Sequence, residues 1–580
     1  MKSIRRMLRS PLNVTIIAVL LWVIAVFLLL PNISVLAAVF TDGTGAVSFR
    51  AFERLISSER SMQSLANSFV LAAVLAVTVN IVGIFIVLVT RFYAIRGAKI
   101  LWVGYATTLV CGGIVLIFGY RQVYGPTGLV TKLLSNFLPN LDPNWFSGMF
   151  AVVMVMTFAS TGNHLLFLSA AVSKIDFQTV EAARMLGASD RTLLWRVILP
   201  LLKPMTFAIT VLTFLGGLSA LAAPQVLGGR DFQTVAPMIL NFSRTISSRD
   251  LAATLALVLG VATIILLAIL NRVEKYGTYF SVAKVAAPLQ KQPIRNRAAS
   301  VTVHIIAYLL WAVYILPPVL ITIFSFTNAR AINSGDLTWD SFTLDNYITV
   351  LTTERGFQPF LVSLVYSAVA SVIVVVLILF AARLLQKHRN WFTQILEYAL
   401  YIPWLLPATT IALGLILTFD HPQPAVFGKV LTGTSLILGI AYVLGKIPFT
   451  LRLLKAAFAG VPDHQEEAAA ILGAKPLRSF RVVVVPAVIP TAAAIMVLNF
   501  SSLLDEYDSA AFLAYPLLQP LGIVIKNATS GETVDDSTAL VYVYAVLLMV
   551  ISAIALWVVY GRASNPKTRF KRSFATSADR

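Results

Sequence analysis

The sequence predicts an all-α membrane protein that crosses the bilayer about twelve times. Of its 580 residues, 58% are hydrophobic and only 12% are charged, whereas a soluble domain carries about 25% charged residues. The apolar residues fall in long runs, and a run of about 18 or more is typical of a transmembrane helix. Lysines and arginines cluster between alternate runs, which gives each crossing a direction.

Six predicted spans fall in each half of the chain. In the first half they cover about 14–40, 64–90, 100–120, 148–170, 201–222 and 251–270. In the second half they cover about 301–326, 360–382, 394–419, 434–455, 487–504 and 538–560. We therefore predict two six-helix halves, 1–270 and 301–560, a basic cytoplasmic linker at 271–300 and a basic cytoplasmic tail at 561–580.

The distribution of charge predicts the orientation of these spans. If the N-terminus is cytoplasmic, the segments and span ends on that side hold 32 of the 45 lysines and arginines, and the outer segments hold 12. The outer segments also hold 17 of the 26 acidic residues. Both termini are then cytoplasmic and the halves form a parallel repeat. The net charge of +19 follows from this topology, so no nucleic-acid partner is expected.

A short cytoplasmic loop sequence occurs once in each half, after the predicted spans four and ten. Glu-Ala-Ala favours a short helix, the following glycine suits a left-handed C-terminal cap, and a proline marks the entry to the next span. A second short helix is predicted at about 190–198 and 476–484. Two copies in register favour a protein-docking surface over a connector that touches nothing. The paired residues lie 286 positions apart: Glu181 and Glu467, Ala182 and Ala468, Ala183 and Ala469, Gly187 and Gly473, and Pro200 and Pro486.

This loop resembles the EAA motif of the permease subunits of binding-protein-dependent ABC importers. The family pattern is Glu-Ala-Ala, three residues, Gly, nine residues, then Ile-x-Leu-Pro. The first copy has Val197 in the Ile place, and the second has Val483 and Val485 in the Ile and Leu places. The resemblance implies a type I ABC importer permease fold, a transport subunit rather than an enzyme, in a bacterial plasma (inner) membrane.

The same resemblance implies the partners. Each loop would dock on one subunit of an ABC ATPase homodimer, and a separate extracytoplasmic binding protein would deliver the solute. The sequence has no Gly-x-x-x-x-Gly-Lys-Ser/Thr phosphate-binding loop, so we expect ATP to be used by the partner subunit and no cofactor in this chain.

The cargo is less well defined by the sequence. This chain resembles the ferric-iron importer group, in which fused permeases of this size are familiar. Similar fusions serve 2-aminoethylphosphonate, thiamine and sugar phosphates. The candidate pathway residues are Asp505, Glu506 and Asp508, at the outer end of span eleven, and His164 in span four. Carboxylates suit a hard cation such as Fe(III), but they also suit a solvated helix end, and a buried histidine can simply bond a neighbouring helix. No metal site is assigned.

Two other classes are considered. An ion-coupled secondary transporter also has twelve spans in two parallel halves, but it leaves the duplicated loops unexplained. An intramembrane enzyme would need a metal-ligand or nucleophile–base spacing, and the five histidines are scattered along the chain.

Overall fold

In the computed structural model, helices are the regular secondary structure of the residues that it describes. These are 7–8, 10–41, 46–275, 289–334, 337–461, 463–474, 476–530 and 535–561. Outside the helices, this part of the chain forms isolated backbone bridges and no strands. The C-terminal tail, apart from Gly561, and the middle of the predicted linker lie outside the described residues. The all-α fold class is confirmed.

Ten of the described helices are long and apolar enough to cross a membrane. Each coincides with one predicted span. They are Pro11–Phe40, Glu59–Phe92, Gly148–Val172, Asp190–Leu218, Ile246–Ile269, Arg297–Ser325, Glu354–Lys387, Ser435–Ala459, Phe480–Leu503 and Thr538–Val559. Shorter helices connect them: Arg50–Ser57, Leu129–Phe137, Phe177–Met185, Ala222–Leu227, Val235–Ser243, Ala329–Ser334, Asp345–Thr352, Asp463–Ile471, Ala510–Leu513 and Leu521–Thr529.

The third predicted span of the first half, 100–120, is not one continuous helix. Ala98–Val110 and Gly113–Phe137 meet at an angle of 117°. The break lies at Cys111 and Gly112, whose backbones are extended. Glycine lowers the cost of leaving the helical conformation, so the sequence permits the bend at this point.

The third predicted span of the second half, 394–419, is broken at the corresponding place. It consists of Trp391–Leu400, Ile402–Leu405 and Ala408–Phe419. Pro407 precedes the last segment, with an extended backbone. Proline has no N–H to donate, and it disfavours helix at the residue before it. The first half has three short helices in the same place, Ala98–Tyr105, Thr107–Val110 and Gly113–Tyr124. Both halves therefore replace their third span with three shorter helices.

The described helices pack into two compact units. One draws on the described residues within 1–49, 354–523 and 547–561, and the other on those within 50–353 and 524–546. Each unit thus takes the first long helix of the other sequence half, and the second unit also takes 524–546 from the second half. The boundaries of the sequence repeat therefore differ from the boundaries of the units in which the helices pack.

In the first unit, the exchanged helix Pro11–Phe40 contributes to the core. Phe27 packs against Phe419 with ring centroids 5.7 Å apart. A Cβ atom on Gly414 would lie 3.0 Å from the carbonyl oxygen of Pro31. This close approach favours glycine at position 414. It fixes the position of Pro11–Phe40 along the helix Ala408–Phe419.

In the second unit, the exchanged helix Arg297–Ser325 is held by aromatic and polar contacts. The hydroxyl of Tyr105 donates to the carbonyl of Ala307 at 2.7 Å, and the indole N–H of Trp311 donates to the carbonyl of Ile100 at 3.0 Å. The rings of Tyr105 and Tyr314 meet edge to face at 5.2 Å. Buried polar groups in membrane helices need such partners.

The two units repeat one tertiary hydrogen bond. The Ser68 hydroxyl accepts from the backbone N–H of Val235 at 2.9 Å, and the Ser363 hydroxyl accepts from that of Leu521 at 2.8 Å. Both bonds join the second helix of a repeat to a short helix after its fifth. The internal repeat therefore extends beyond the loops to the packing of the helices.

Candidate functional site

The first Glu-Ala-Ala loop contains a capped helix, Phe177–Met185. Asp176 begins it by accepting a hydrogen bond from the N–H of Gln178 at 3.1 Å, which satisfies one of the free donors at the helix start. Gly187 ends it with φ of +80°. The N–H of Ala188 then reaches the carbonyl of Ala183 at 3.0 Å, as in a glycine-capped helix end. The predicted left-handed cap is confirmed.

The second loop repeats this geometry in the helix Asp463–Ile471. Gly473 has φ of +79°, and the N–H of Ala474 reaches the carbonyl of Ala469 at 2.9 Å. Glu181 and Glu467 are both exposed on their helices. The two loops therefore present one shape twice.

Both loops expose large apolar side chains at matching positions. Met185 and Leu186 are 89% and 88% exposed, and Ile471 and Leu472 are each 87% exposed. Each pair lies immediately before the capping glycine, at the tip of its loop. A duplicated apolar tip of this kind is typical of a surface that another protein covers.

The helix after each loop differs from the prediction of a separate short helix. Asp190–Leu218 is continuous, with a π-helical turn at Leu193–Ile198. The second copy has the corresponding turn, Phe480–Val484, between the helical segments Pro476–Ser479 and Val485–Leu503. Because Pro200 and Pro486 lack an N–H and crowd the carbonyl four residues earlier, the preceding turn widens rather than ending the helix. The residues predicted as a second short helix, 190–198 and 476–484, are helical, but they continue into the next span, so their prediction as a separate element was wrong.

An ion pair supports the first loop. The Arg184 guanidinium lies 2.6 Å from the Asp190 carboxylate, which also accepts from the backbone N–H of Arg295 at 3.0 Å. The corresponding residues of the second loop are Ala470 and Pro476. The sequence analysis missed this difference, although comparison of the two copies shows it directly.

Asp505, Glu506 and Asp508 follow the end of Phe480–Leu503. Glu506 accepts from the N–H of Ser509 at 2.9 Å through its carboxylate. Burial raises the pKa of Asp505 to about 6 and that of Asp508 to about 7, and the charge of Glu506 adds to both shifts. One carboxylate oxygen each of Asp505 and Glu506 is buried without a hydrogen-bond partner.

Lys446, from Ser435–Ala459, supplies positive charge to this acidic cluster. It interacts electrostatically with both Glu506 and Asp505. From the same helix, the Tyr442 hydroxyl donates to the carbonyl of Glu506 at 3.3 Å. Within the part of the chain that the structure describes, no three acidic, histidine or cysteine side chains are grouped to hold a metal ion.

His164 is fully buried in a hydrogen-bonded network. Its Nε2 lies 3.2 Å from Oδ1 of Asn80, whose amide donates to the Thr210 hydroxyl at 2.8 Å. The imidazole ring occupies space left by Gly83, since a Cβ there would lie 2.3 Å from His164 Cγ. The structure places His164 between helices. Through Asn80, these contacts link Gly148–Val172 to Asp190–Leu218, the two helices that flank the first loop.

A related bond joins the helices that flank the second loop. The amide of Asn499 donates to the Thr450 hydroxyl at 2.9 Å, and both residues are buried. Thr450 lies 286 positions after His164. Sequence reasoning missed this pair, because a single threonine and a single asparagine in apolar spans carry no motif.

A polar cavity of about 430 Å³ opens beside the start of Glu59–Phe92. Two arginines and one aspartate line it together with uncharged polar side chains. The lining residues are Arg60, Gln63, Ser64, Asn67, Arg230, Asp231 and Gln233. The charges of Arg230 and Asp231 are not repeated in the second half, since Pro516 and Leu517 stand 286 positions after them.

The paired loops and the helical architecture define a membrane permease. Residues 11–276 and 374–561 match the family described as binding-protein-dependent transport system inner membrane component. The chain belongs to this family, and each of the two matches falls mainly in one predicted half.

Similar proteins support the same class. The probable ABC transporter permease protein y4fN of Sinorhizobium fredii is 38% identical over 92% of this chain and 93% of its own length. The ferric transport system permease protein FbpB of Actinobacillus pleuropneumoniae is 23% identical over 94% of this chain and 78% of its own length. The putative 2-aminoethylphosphonate transport system permease protein PhnV of Salmonella choleraesuis is 23% identical over 46% of this chain and 98% of its own length.

These findings confirm the predicted class. The chain is a fused, two-domain ABC transporter permease of the inner membrane, with several membrane-spanning helices. Such a permease works with a solute-binding protein and an ATPase.

Proposed function

We propose that this chain is the membrane subunit of an ATP-driven importer, and that each Glu-Ala-Ala loop docks on one subunit of an ABC ATPase homodimer. The duplicated apolar tip carries this proposal. Met185 and Leu186 in one loop, and Ile471 and Leu472 in the other, are almost fully exposed before identical glycine caps. A hydrophobic groove in the ATPase would cover each tip, and Glu181 or Glu467 would add a charged contact.

The helix beyond each loop would carry the movement of the loop into the membrane. Asp190–Leu218 continues without a break from the first loop into its span. When ATP binding closes the ATPase dimer, a shift of the loop would therefore tilt this helix rather than be absorbed by a hinge. Hydrolysis in the partner would reset the position, and both termini of this chain would lie in the cytoplasm.

Substitution of the loop tips tests the docking proposal. We expect Leu186→Ser combined with Leu472→Ser to abolish co-purification with the ATPase and ATP-driven uptake in proteoliposomes. Ile246→Ser is the matched control, because Ile246 is 80% exposed on a segment that the charge count places outside. Normal ATPase binding by the double variant, or equal loss in the control, would contradict the proposal.

The energy source distinguishes this function from ion-coupled transport. We expect uptake to stop when ATP is withdrawn and to persist when ionophores collapse the ion gradients. The reverse result would favour a secondary transporter.

For the cargo, the best-supported proposal is ferric iron. The support is the ferric permease relative over 94% of this chain and the oxygen-rich cluster of Asp505, Glu506 and Asp508. Iron would pass these carboxylates as cargo, and its positive charge would compete with that of Lys446. Uptake of radioactive iron that is lost in Asp505→Asn and retained in Asp142→Asn, a control at another outer loop, would support this assignment.

An oxyanion is the alternative cargo. The cavity with Arg60 and Arg230 offers positive charge for a phosphonate, and the PhnV relative is named for 2-aminoethylphosphonate. Uptake of labelled 2-aminoethylphosphonate that depends on Arg230, without iron uptake, would favour it. Thiamine and sugar phosphates serve as further competitors in the same assay.

A further inference from the structure

A second cavity, of about 670 Å³, lies at the base of the first loop. Three parts of the second unit enclose it: the end of Glu59–Phe92, the start of Asp190–Leu218, and the described end of the linker with the helix that follows. The linker is fixed there, because the N–H of Gln292 donates to the carbonyl of Phe92 at 2.8 Å and the N–H of Ala94 donates to that of Gln292 at 2.9 Å.

Much of the wall is apolar. Phe85, Leu88 and Val89 face the cavity from one helix, and Leu194 and Val303 face it from two others. Trp195 stands at its rim with 64% of its surface exposed. Tryptophan is enriched where a membrane helix meets the headgroup layer, so the cavity has the composition of a bilayer boundary.

The charged part of the wall is strongly basic. Arg184, Arg191 and Arg295 line the cavity, and Asp190 is the one acidic residue among the lining side chains. The Asp190 carboxylate already contacts Arg184 and the Arg295 backbone N–H. The side chains of Arg191 and Arg295 are both exposed where they line the cavity.

More positive charge lies at the described end of the linker. Burial lowers the pKa of Lys291, and the nearby charges of Arg91 and Lys99 lower it further. Like charges therefore gather here closely enough to repel one another. An anion bound from outside the chain would reduce this repulsion.

We infer that this cavity binds an anionic phospholipid of the cytoplasmic leaflet. The headgroup phosphate would meet Arg191 and Arg295, and the acyl chains would lie along the apolar wall. Basic pockets between membrane helices on the cytoplasmic side suit such headgroups. A free phosphate ion would leave the apolar wall and Trp195 uncovered, so the lipid is the better match. This inference rests on the orientation proposed above.

The lipid site lies beside the first loop, so a bound lipid would affect the two loops differently. Arg184 and Asp190 belong to the first loop, so a bound lipid would stabilise that loop directly. The second loop has Ala470 and Leu477 where the first has Arg184 and Arg191. One of the two ATPase-docking loops would therefore depend on anionic lipid, and the other would not.

Native mass spectrometry of the full chain in detergent tests the inference without any transport measurement. The probes are phosphatidylglycerol, phosphatidylcholine and glycerol 3-phosphate. We expect retention of phosphatidylglycerol alone, and binding about tenfold weaker or more in Arg191→Gln combined with Arg295→Gln, since each basic group near an anionic surface contributes about 1 kcal/mol. Arg196→Gln combined with Arg297→Gln is the matched control, because both arginines are exposed neighbours outside the cavity lining.

Each outcome bears on the inference. Retention of phosphatidylglycerol by the control variant, and by the Lys substitutions at 191 and 295, would support it. Equal loss in the control, full retention by the cavity variant, or complete competition by glycerol 3-phosphate would overturn it. Because no ATPase is present, these results are independent of the docking proposal.

Discussion

Replacing the capping glycines by alanine strains the backbone of the loops, and the structure allows the free-energy cost to be estimated. Gly187 and Gly473 have φ of +80° and +79°. A Cβ added at either position would meet no atom within 4 Å. Gly187→Ala and Gly473→Ala therefore introduce no collision with a neighbour, and backbone strain is the only direct cost.

That strain has a known scale. A non-glycine residue in the left-handed conformation costs about 1–2 kcal/mol, which lowers the population of the capped loop about 5- to 30-fold. Because the two φ angles are almost equal, we expect the two single variants to show effects of equal size. Asparagine tolerates this conformation better than alanine, so Gly187→Asn should fall between wild type and Gly187→Ala.

The assay is the number of solute molecules imported per ATP hydrolysed, in proteoliposomes with the ATPase and the binding protein. We expect this ratio to fall in both alanine variants, because a loop that leaves its docked shape transmits less movement. Gly216→Ala is the matched control. Gly216 lies inside the helix Leu199–Leu218, and a Cβ there also meets nothing within 4 Å, so alanine should strengthen that helix by about 0.5–1 kcal/mol.

Two results would refute this reasoning. If Gly187→Ala and Gly216→Ala have the same import ratio, the capped shape of the loop does not matter for coupling. If the import ratio falls in Gly187→Ala but stays at the wild-type value in Gly473→Ala, the loops are not equivalent docking points.

Three further predictions concern stability in detergent. Gly83→Ala should destabilise the protein by about 1–3 kcal/mol, seen as a lower Tm, because its Cβ would collide with His164; Gly445→Ala, which meets nothing within 4 Å, should not. Asn499→Leu should cost about 0.5–2 kcal/mol, and much less when Thr450 is already Val, if the bond between them is the cause. The Tm should fall as pH rises from about 4 to about 7, since burial raises the pKa of Asp508 to about 7 and the folded state then binds more protons than the unfolded state. Asp508→Asn should flatten this profile, and an unchanged profile would contradict the assignment.

Features set by local pattern were predictable from the sequence. The loop helices, their glycine caps and ten long helices follow from spacing, turn residues and apolar length. The broken third spans had local signals as well, Gly112 in one half and Pro407 in the other, but apolar length outweighed them in the prediction.

Features set by packing were not predictable in this way. The exchange of Pro11–Phe40 and Arg297–Ser325 between the compact units depends on which apolar surfaces fit together, and hydrophobic periodicity does not specify a partner. The same is true of Lys446 and Glu506, which are 60 positions apart. Their opposite charges are visible in the sequence, but their proximity comes from the fold.

Comparison of the two halves distinguishes features that are repeated in both from polar residues that occur in only one. The loops repeat their cap geometry and their exposed apolar tips almost without change, as two identical ATPase subunits would require. The interior does not repeat in the same way, since Lys446, Asp505 and Glu506 correspond to Ser160, Ser219 and Ala220 in the first half. A cargo meets both halves at once and needs no symmetry. The repeated features therefore fit the proposed role in energy coupling, and the unmatched polar groups are the places where specificity for the cargo should be sought.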